Sequence, residues 1–451
     1  MNFLNEDQVN QLAPDASSLK AGKDLANERK WLNYQSNERV LWGEVQGSGK
    51  DPYRTQIDLQ NTAFKCSCPS RKFPCKHGLG LLFLVARRNG DIPQLATEPS
   101  WVSEWINKRS EKAEAKVQPP VSEEQDSEKT DKQAKDKEKR QNDRLLKVEA
   151  GVAELDLWLR DMVRAGLLAL PEKGSAYFEK MAARMVDAQA TGFASLVKEF
   201  TKLNYYKGDS WQTQALEIAA KIHLQIEAFR NLDQLPPLVQ EEVKSRVGWN
   251  VQQKELIENK ESETIDDEWV VIGRRSTQEE DILLQRNWLY GCNSKRFALV
   301  LNFAYRTAAI ETPLVPGNTS KARLVFYPSH SPFRALVKHH LESKSFLPTS
   351  LQGLESWQHS QLEYTRVIAQ NPWADDVPQL VEHLQITKHQ THWYLQDATG
   401  AVMRLHDAFE EAIIWKLLAF TAGHPTTFFL LRQSTSVWPL GIVQNFSYQL
   451  L

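Results

Sequence analysis

Three of the four cysteines in this chain lie within ten residues of one another, and a histidine follows the last of them. These residues are Cys66, Cys68, Cys75 and His77, in the pattern C-x-C-x6-C-x-H. Three thiolates and one imidazole form a ligand set that zinc accepts in a closed tetrahedron, with bonds of about 2.0 to 2.3 Å. The pattern predicts a structural Zn2+ site, and it leaves no open position where the metal would activate water for catalysis.

Other interpretations of the cysteines fit the sequence less well. Disulfide bonding would leave one of the three clustered cysteines without a partner. The N-terminal sequence from Met1 to Glu6 also lacks an export signal that would bring the chain to an oxidising compartment. The fourth cysteine, Cys292, lies among aromatic and small residues, which favours a free thiol.

The elements around the site must bring its two halves together. Cys66 and Cys68 lie two apart, so on an extended strand both side chains leave the same face. Pro74 suits the start of a helix because it has no N–H to leave unpaired, and residues 78–88 are apolar enough to form a largely buried helix. The metal would tie this helix to a β-hairpin that we predict within residues 40–59.

The finger pattern, ending in Pro74-Cys75-Lys76-His77 and an apolar helix, resembles the SWIM zinc finger. Further segments resemble a family of bacterial SWIM zinc finger proteins of about this length: Ala13–Asp15, Trp42–Gly49, Glu154–Asp161 and Arg184–Ala190. The resemblance implies zinc binding and the binding of DNA or protein. Bacterial members tend to be encoded near MoxR-type AAA+ ATPases and von Willebrand factor A (VWA) proteins, so it also implies these as partners.

The composition is that of an ordinary soluble protein. The chain has 451 residues, of which 41% are hydrophobic and 25% charged, and its net charge of −2 gives no global signal for nucleic acid. The length suffices for two or three domains. No run approaches the roughly 18 apolar residues that span a bilayer. We therefore expect a cytoplasmic protein without a membrane partner.

The sequence predicts a multidomain α+β fold. An N-terminal module of ββα type spans residues 1–107, with the finger at about 40–90, and a charged, disordered linker follows at 108–144. A long solvated helix over the second half of the linker is the alternative. Residues 145–260 form a helical domain, and residues 265–451 form a β-rich α+β domain.

The helical domain follows from apolar residues that recur at helical spacing between Leu145 and Val163. Further helices are expected at 174–190, 192–203, 211–231 and 237–256. Three acidic residues, Asp156, Asp161 and Asp187, have no histidine or hydroxyl motif beside them. We expect them to be solvated or paired on helix faces rather than to form an acidic site.

Alternation of apolar residues predicts strands in the last part of the chain. They are expected at 269–272, 297–305, 323–327, 392–395, 401–405, 426–431 and 437–443, with a hairpin turn at Asp397–Gly400 and helices near 331–344 and 407–421. Four histidines, His339, His340, His389 and His392, lack flanking ligands at metal-binding spacing. The chain also has no recognisable catalytic motif, so we expect a non-enzymatic protein.

Basic residues are concentrated around the finger. Between residues 54 and 88 they face a single acid, Asp58, and we predict nucleic-acid contacts at Arg54, Lys65, Arg71, Lys72, Lys76, Arg87 and Arg88. The alternative is that these cations offset the negative charge of three thiolates.

Two tryptophans follow the finger. Trp101 and Trp105 lie four apart, so they can share one helix face; they either seal the core of the module or form an exposed stacking platform.

Three functions therefore remain open from the sequence. The first is a DNA- or protein-binding factor that presents its zinc finger as a binding surface. The second is an adaptor or accessory subunit of a MoxR-type AAA+ ATPase and VWA system, in which a flexible linker lets two folded parts reach separate partners. The third is an unrecognised enzyme in the C-terminal domain.

Overall fold

A computed structural model describes most of the chain. The described residues are 4, 6–14, 16–47, 51–59, 63–70, 72, 74–88, 90–115, 127–206, 210–249, 251–279, 282–305, 314–345, 351, 353–444 and 447–450. Of the residues predicted to contact nucleic acid, Arg71 lies outside these ranges. None of the helices in the described ranges has both the length and the apolar character that crossing a membrane requires.

The N-terminal module is built on a four-stranded antiparallel sheet with helices packed against it. Its elements are α1 (Glu6–Leu12), α2 (Ala16–Leu25), β1 (Trp31–Ser36), β2 (Val40–Val45), β3 (Tyr53–Asp58), β4 (Ala63–Cys66), α3 (Lys76–Arg87) and α4 (Ser100–Ala115). The strands pair in the order in which they occur along the chain. The apolar run after the metal ligands forms α3, which confirms that prediction.

Helix α3 lies at the centre of the module because nearly all of its side chains are apolar. Nine of its residues are buried, and six of these pack with Trp31, Leu41 and Ile57 from the sheet. Helix α2 crosses α3 closely: a Cβ on Gly80 would lie 2.6 Å from Cβ of Leu25. Glycine at position 80 therefore lets the two helices approach each other.

The central part of the chain is helical. Its helices are α5 (Ser127–Ala165), α6 (Leu170–Asp187), α7 (Thr191–Glu199), α8 (Ser210–Arg230), α9 (Pro237–Val247) and α10 (Gln253–Glu258). One apolar core joins α5 to α9, with Phe178, Phe193 and Phe200 fully buried. The single helix predicted at 237–256 is divided, because Gly248 adopts a left-handed conformation and ends α9.

The described parts of the predicted disordered linker, residues 108–115 and 127–144, are helical. Residues 108–115 continue α4, and residues 127–144 belong to α5, so the alternative of a long helix over the second half describes this segment better. The physical reason is local, since glutamate, lysine and alanine favour helix even where no core exists to pack against.

Five strands follow and close into a barrel. They are β5 (Thr264–Glu279), β6 (Ile282–Gly291), β7 (Phe297–Tyr305), β8 (Asn318–Phe326) and β9 (Arg334–Ser345). Their order around the barrel is β5-β6-β7-β9-β8, and β7 and β9 pair in parallel. We call this the first barrel.

The last part of the chain contains α11 (Trp357–Gln370), β10 (Val377–His389), β11 (His392–Gln396), β12 (Val402–Leu405), α12 (Glu411–Thr421), β13 (Thr426–Arg432), β14 (Ser436–Gln444) and β15 (Ser447–Leu450). The sheet order is β12-β11-β10-β13-β14-β15. An additional parallel pairing of β12 with β14 joins the two sides of this sheet. Strands β10 to β14 therefore form a second closed ring, which we call the second barrel.

The predicted α+β fold is confirmed, as are the predicted strands, the hairpin turn at Asp397–Gly400 and the helix near 407–421. The helix predicted near 331–344 is wrong, because residues 334–345 form β9. This strand pairs with β8 along its length and closes the barrel against β7. Pairing with distant strands outweighs the helical preference of the segment. Helix α11 was not predicted.

Candidate metal centre

The chain positions the four predicted ligands at the junction between a strand and a helix. Cys66 is the last residue of β4, and Cys68 follows in the loop. Cys75 is the N-cap residue of α3, with extended backbone angles (φ −73°, ψ 167°), and His77 lies in the first turn. The end of β4 with its following loop and the start of α3 therefore each supply two ligands, although only Cys66 lies on the strand where the spacing predicts both cysteines.

The four ligand atoms converge. All of them lie within 4.8 Å of one another, and Nδ1 of His77 lies 3.7 Å from Sγ of Cys66 and 4.0 Å from Sγ of Cys75. In a tetrahedron with Zn–S bonds of about 2.3 Å, neighbouring donors are about 3.8 Å apart. The donor set and its spacing fit a zinc ion held by Cys66, Cys68, Cys75 and His77.

Neighbouring groups hold the ligands in place. The Thr55 hydroxyl donates a hydrogen bond of 3.0 Å to Sγ of Cys66, and the backbone N–H groups of Ser70 and Gly78 donate to Cys68 and Cys75. Hydrogen bonds of this kind orient ligands and stabilise thiolates. Sequence reasoning missed Thr55. The strand register could have identified it, because Thr55 and Cys66 are cross-strand partners.

The cluster attracts positive charge. Hydrogen bonds with Cys66 and Cys75 hold the pKa of the Cys68 thiol far below its usual range. Burial lowers the pKa of His77, but hydrogen bonds with Cys66 and Cys68 outweigh this effect and raise the pKa to about 9. Hydrogen bonds with Cys66 and Cys68, together with burial, raise the pKa of Cys75. The crowding of the four donors therefore favours a cation at their centre, and binding of Zn2+ would release the protons that the ligands hold.

Three of the arginines predicted to contact nucleic acid, Arg54, Arg87 and Arg88, are paired with carboxylates. Arg54 lies 3.0 Å from Glu44, and Arg87 lies 3.2 Å from Glu6. Arg88 pairs with Glu28 and with Asp91. Arg87 and Arg88 also lie at the end of α3, a full helix length from the ligands. These three charges are engaged within the module. Sequence reasoning did not foresee the pairs with Glu6 and Glu28, because these partners lie 81 and 60 residues away in the chain.

The lysines of the predicted set are placed differently. Lys65, Lys72 and Lys76 are exposed, and Lys65 and Lys76 are direct sequence neighbours of Cys66 and Cys75. Among the residues that the structure describes, neither Lys65 nor Lys76 forms an ion pair. Lys72 donates a hydrogen bond to the Ser17 hydroxyl at 3.0 Å. Lys65 and Lys76 are therefore exposed cations of the finger that have no carboxylate partner among the described residues.

The tryptophans after the finger fit the prediction that they seal the core of the module, and they do not form an exposed stacking platform. Trp101 and Trp105 are half-buried on α4 and pack against Val40 and Trp42 of β2. The Arg54 guanidinium lies over the ring of Trp101 at 5.6 Å, and Arg109 lies over Trp105 at 5.5 Å. Both rings therefore pack into the module and also contact an arginine.

The other candidate sites in the sequence do not form a second metal centre in the described part of the chain. His389 and His392 are cross-strand partners, but no third ligand joins them. His339 and His340 lie in β9, and their side chains are outside the described residues. Cys292 is a free thiol, and burial, followed by the charge of Asp267, raises its pKa to about 11.

The three aspartates of the helical domain do not form an acidic site among the described residues. Asp156 is buried and lies 3.1 Å from Arg160 and 2.8 Å from Arg230. Burial raises the pKa of Asp156, but hydrogen bonds from Arg230 and Arg160 outweigh it and lower the pKa. Asp161 lies 3.5 Å from Arg164. The expectation that these residues are paired on helix faces is confirmed for both.

Comparison with known proteins agrees with the geometry of the metal centre. No curated protein and no solved structure matches this chain. Two family models do match parts of it: a SWIM-associated four-helix bundle domain at residues 143–247 and a SWIM zinc finger at residues 53–86. The second match covers β3, β4 and α3 with all four ligands. The chain therefore carries a SWIM zinc finger followed by a SWIM-associated four-helix bundle.

Proposed function

We propose that this protein is a non-enzymatic zinc-finger protein that binds nucleic acid through the lysines beside its metal centre. The observation that carries the proposal is the exposure of Lys65 and Lys76, which form no ion pair among the described residues. Each is directly bonded in sequence to a metal ligand. The metal therefore fixes the positions from which both ammonium groups reach a phosphate.

Zn2+ has a structural role in this proposal. Cys66, Cys68, Cys75 and His77 fill its four positions, so it supplies cross-linking of β4 to α3 rather than an activated water. Three thiolates and one divalent cation also carry a net charge of −1. Offsetting this charge is the competing explanation for the lysines, and it requires no ligand.

A charge-reversal experiment separates the two explanations. We would titrate the zinc-loaded full chain against labelled single- and double-stranded DNA and RNA by fluorescence anisotropy at two salt concentrations. The Lys65→Glu/Lys76→Glu variant should bind roughly tenfold or more weakly, with a smaller salt dependence, because phosphate contacts are lost. Zinc content, measured by atomic absorption, should stay at one ion per chain.

The matched control is Lys147→Glu/Lys180→Glu, which changes the net charge equally at two exposed lysines of the bundle. Its affinity for nucleic acid should remain close to that of the wild type. An equal loss in both variants would show that only net charge matters. Unchanged binding in the finger variant would leave charge compensation as the role of these lysines.

A protein adaptor is the second candidate function, with a MoxR-type AAA+ ATPase or a VWA protein as partner. The observation that supports it is a pair of exposed apolar side chains where α5 ends: Val163 is 51% exposed and Leu168 is 74% exposed. Apolar groups left in water favour protein contacts. Pull-down of such an ATPase, with and without ATP, should weaken with Val163→Asp/Leu168→Asp; no capture by the wild type would eliminate this candidate.

A further inference from the structure

The two barrels share one connectivity. Numbered within each barrel, the strands follow the order 1-2-3-5-4 around the ring, and the third and fifth strands are the parallel pair. Strands β5 to β9 of the first barrel are therefore equivalent, in chain order, to strands β10 to β14 of the second barrel. The chain contains the same five-stranded topology twice.

The first strand of each barrel changes its pairing partner along its length in the same way. Its beginning pairs with the fourth strand and its end pairs with the second strand. An irregularity interrupts the pairing near the change of partner, after Val271 in β5 and after Val381 in β10. A bulge of this kind bends a strand so that it serves both sides of a small barrel.

This connectivity is that of the oligonucleotide- and oligosaccharide-binding (OB) fold, a five-stranded Greek-key barrel. Helix α12 supports the assignment because it connects the third and fourth strands of the second barrel. In OB folds, ligands bind across the outer face of the second and third strands. The equivalent face of the first barrel is formed by β6 and β7.

The outer face of β7 is a row of apolar and aromatic side chains. Ala298, Val300 and Ala304 are buried, so the alternate residues from Phe297 to Tyr305 point outward. Phe303 and Tyr305 are each 56% exposed. Their cross-strand partners on β6 are Leu284 and Ile282, and Ile282 is 43% exposed. We call Ile282, Leu284, Phe303 and Tyr305 the aromatic patch.

The second barrel covers the outer face of β6 and β7 only at the end that carries Trp288 and Leu299. Trp288 of β6 is buried against a group that includes Phe429 and Leu440 of the second barrel, and Leu299 of β7 packs at its edge. At Gly273, a Cβ would lie 2.6 Å from Cβ of Leu440, so the two barrels touch closely there. The junction therefore ends before the aromatic patch begins.

A cation lies between the junction and the patch. Arg286 pairs across the strands with Leu301 of β7, one outward position before Phe303. Its Nη1 donates a hydrogen bond of 3.0 Å to the Thr277 hydroxyl, and no carboxylate pairs with it among the described residues. Arg275, its neighbour on β5, is instead held by Asp376 at 3.7 Å and lies 4.2 Å from the ring of Trp438.

We propose that the aromatic patch and Arg286 bind single-stranded nucleic acid. Exposed rings stack with bases of any sequence, and an arginine without a carboxylate partner is complementary to phosphate. The phosphate chain lies toward Arg286, which is on the junction side of the aromatic patch. The second barrel lacks this combination, since Tyr394 is only half-exposed and Arg404 of β12 is paired with Asp407.

The test uses the full chain and a labelled oligothymidylate of about 16 nucleotides, a length in the range of one OB fold. Phe303→Ala/Tyr305→Ala should weaken binding roughly tenfold or more, because removal of each stacking ring has a large cost. Phe303→Tyr/Tyr305→Phe keeps both rings and should bind as the wild type does. Arg286→Gln should lower both the affinity and its salt dependence.

The matched control is Tyr394→Ala on the equivalent face of the second barrel, which should leave binding unchanged. Circular dichroism and thermal unfolding should show that every variant folds, since the altered rings are exposed. Equal affinity of the alanine variant and the wild type would overturn the proposal, as would no binding of the oligonucleotide at low salt. Because the patch lies outside the finger, Lys65→Glu/Lys76→Glu distinguishes failure of this proposal from failure of the finger proposal.

Discussion

In the finger, two half-buried cysteines and two buried ligands converge from a strand end and a helix start. The bundle instead closes around stacked rings, with Phe178 and Phe200 fully buried and their centroids 5.1 Å apart. The first region concentrates its stabilisation in one ion, and the second distributes it over many apolar contacts. This difference predicts that the two regions respond to different changes.

The largest effect should follow from Cys75→Ser. It removes a buried ligand, and zinc binding is worth about 10 to 16 kcal/mol in isolated finger peptides. The apolar core around α3 retains part of the module, so we expect loss of zinc and faster hydrogen exchange in β4 and the start of α3. Mass spectrometry should detect this change without faster exchange in the bundle.

Cys292→Ser serves as the control, because this thiol lies outside the finger. It should retain one zinc ion per chain. If the Cys75 variant kept its zinc, the assignment of the four ligands would be wrong; if the bundle opened together with the finger, the two regions would not be independently stabilised.

A cavity in the bundle should have the next largest effect. Phe178→Ala removes a ring that stacks on Phe200 and meets the edge of Trp158, and such changes cost about 3 to 5 kcal/mol. Urea unfolding should show the loss, while the zinc content remains at one ion per chain. Leu168→Ala, at a position that is 74% exposed, should cost less than about 0.5 kcal/mol; similar losses in both variants would contradict a packed core.

Thr55→Val tests how much a hydrogen bond to a metal ligand contributes to zinc affinity in the finger. It removes the hydrogen bond of 3.0 Å to Sγ of Cys66, and loss of such a partner typically lowers metal affinity about 10- to 100-fold. Competition with a chromophoric chelator would measure the change. Thr201→Val in the bundle should leave zinc affinity unaltered, and an unaltered affinity in the Thr55 variant would mean that this hydroxyl does not support the thiolate.

The smallest effect should follow from removing the charge of Asp156 in the bundle. Hydrogen bonds from Arg230 and Arg160 outweigh burial and lower the pKa of Asp156, so the charged carboxylate stabilises the folded state. Both arginines are partly exposed, at 37% and 55%, so solvent screening reduces the gain to about 1 kcal/mol. Asp156→Asn should lose this amount at neutral pH.

The pH dependence follows from the sign of that shift. The contribution is fully present above the unfolded pKa of about 3.9 and is lost as the pH falls through the lower folded value. Urea unfolding should therefore separate wild type and Asp156→Asn at about pH 7 and bring them together in strong acid. A difference that stays constant across this range would assign the effect to packing rather than charge.

The metal centre and the helical domain were accessible to sequence reasoning for the same reason. Ligand spacing and helical periodicity are local patterns, so Cys66, Cys68, Cys75 and His77 and the helices around Val148 and Phe178 could be located from short windows. The roles of Arg87 and Arg88 could not be found in this way. Two of their partners, Glu6 and Glu28, lie 81 and 60 residues away in the chain, although Arg88 also pairs with the nearby Asp91.

The sequence by itself determined the identity of the metal and its four ligands, because all four donor side chains and their spacing lie within twelve consecutive residues. Only the tertiary structure decided that residues 334–345 become a strand, that two barrels share one connectivity, and that Phe303 and Tyr305 remain exposed. Strand pairing joins segments far apart in the chain, and the same alternation fits many arrangements until the partners are known.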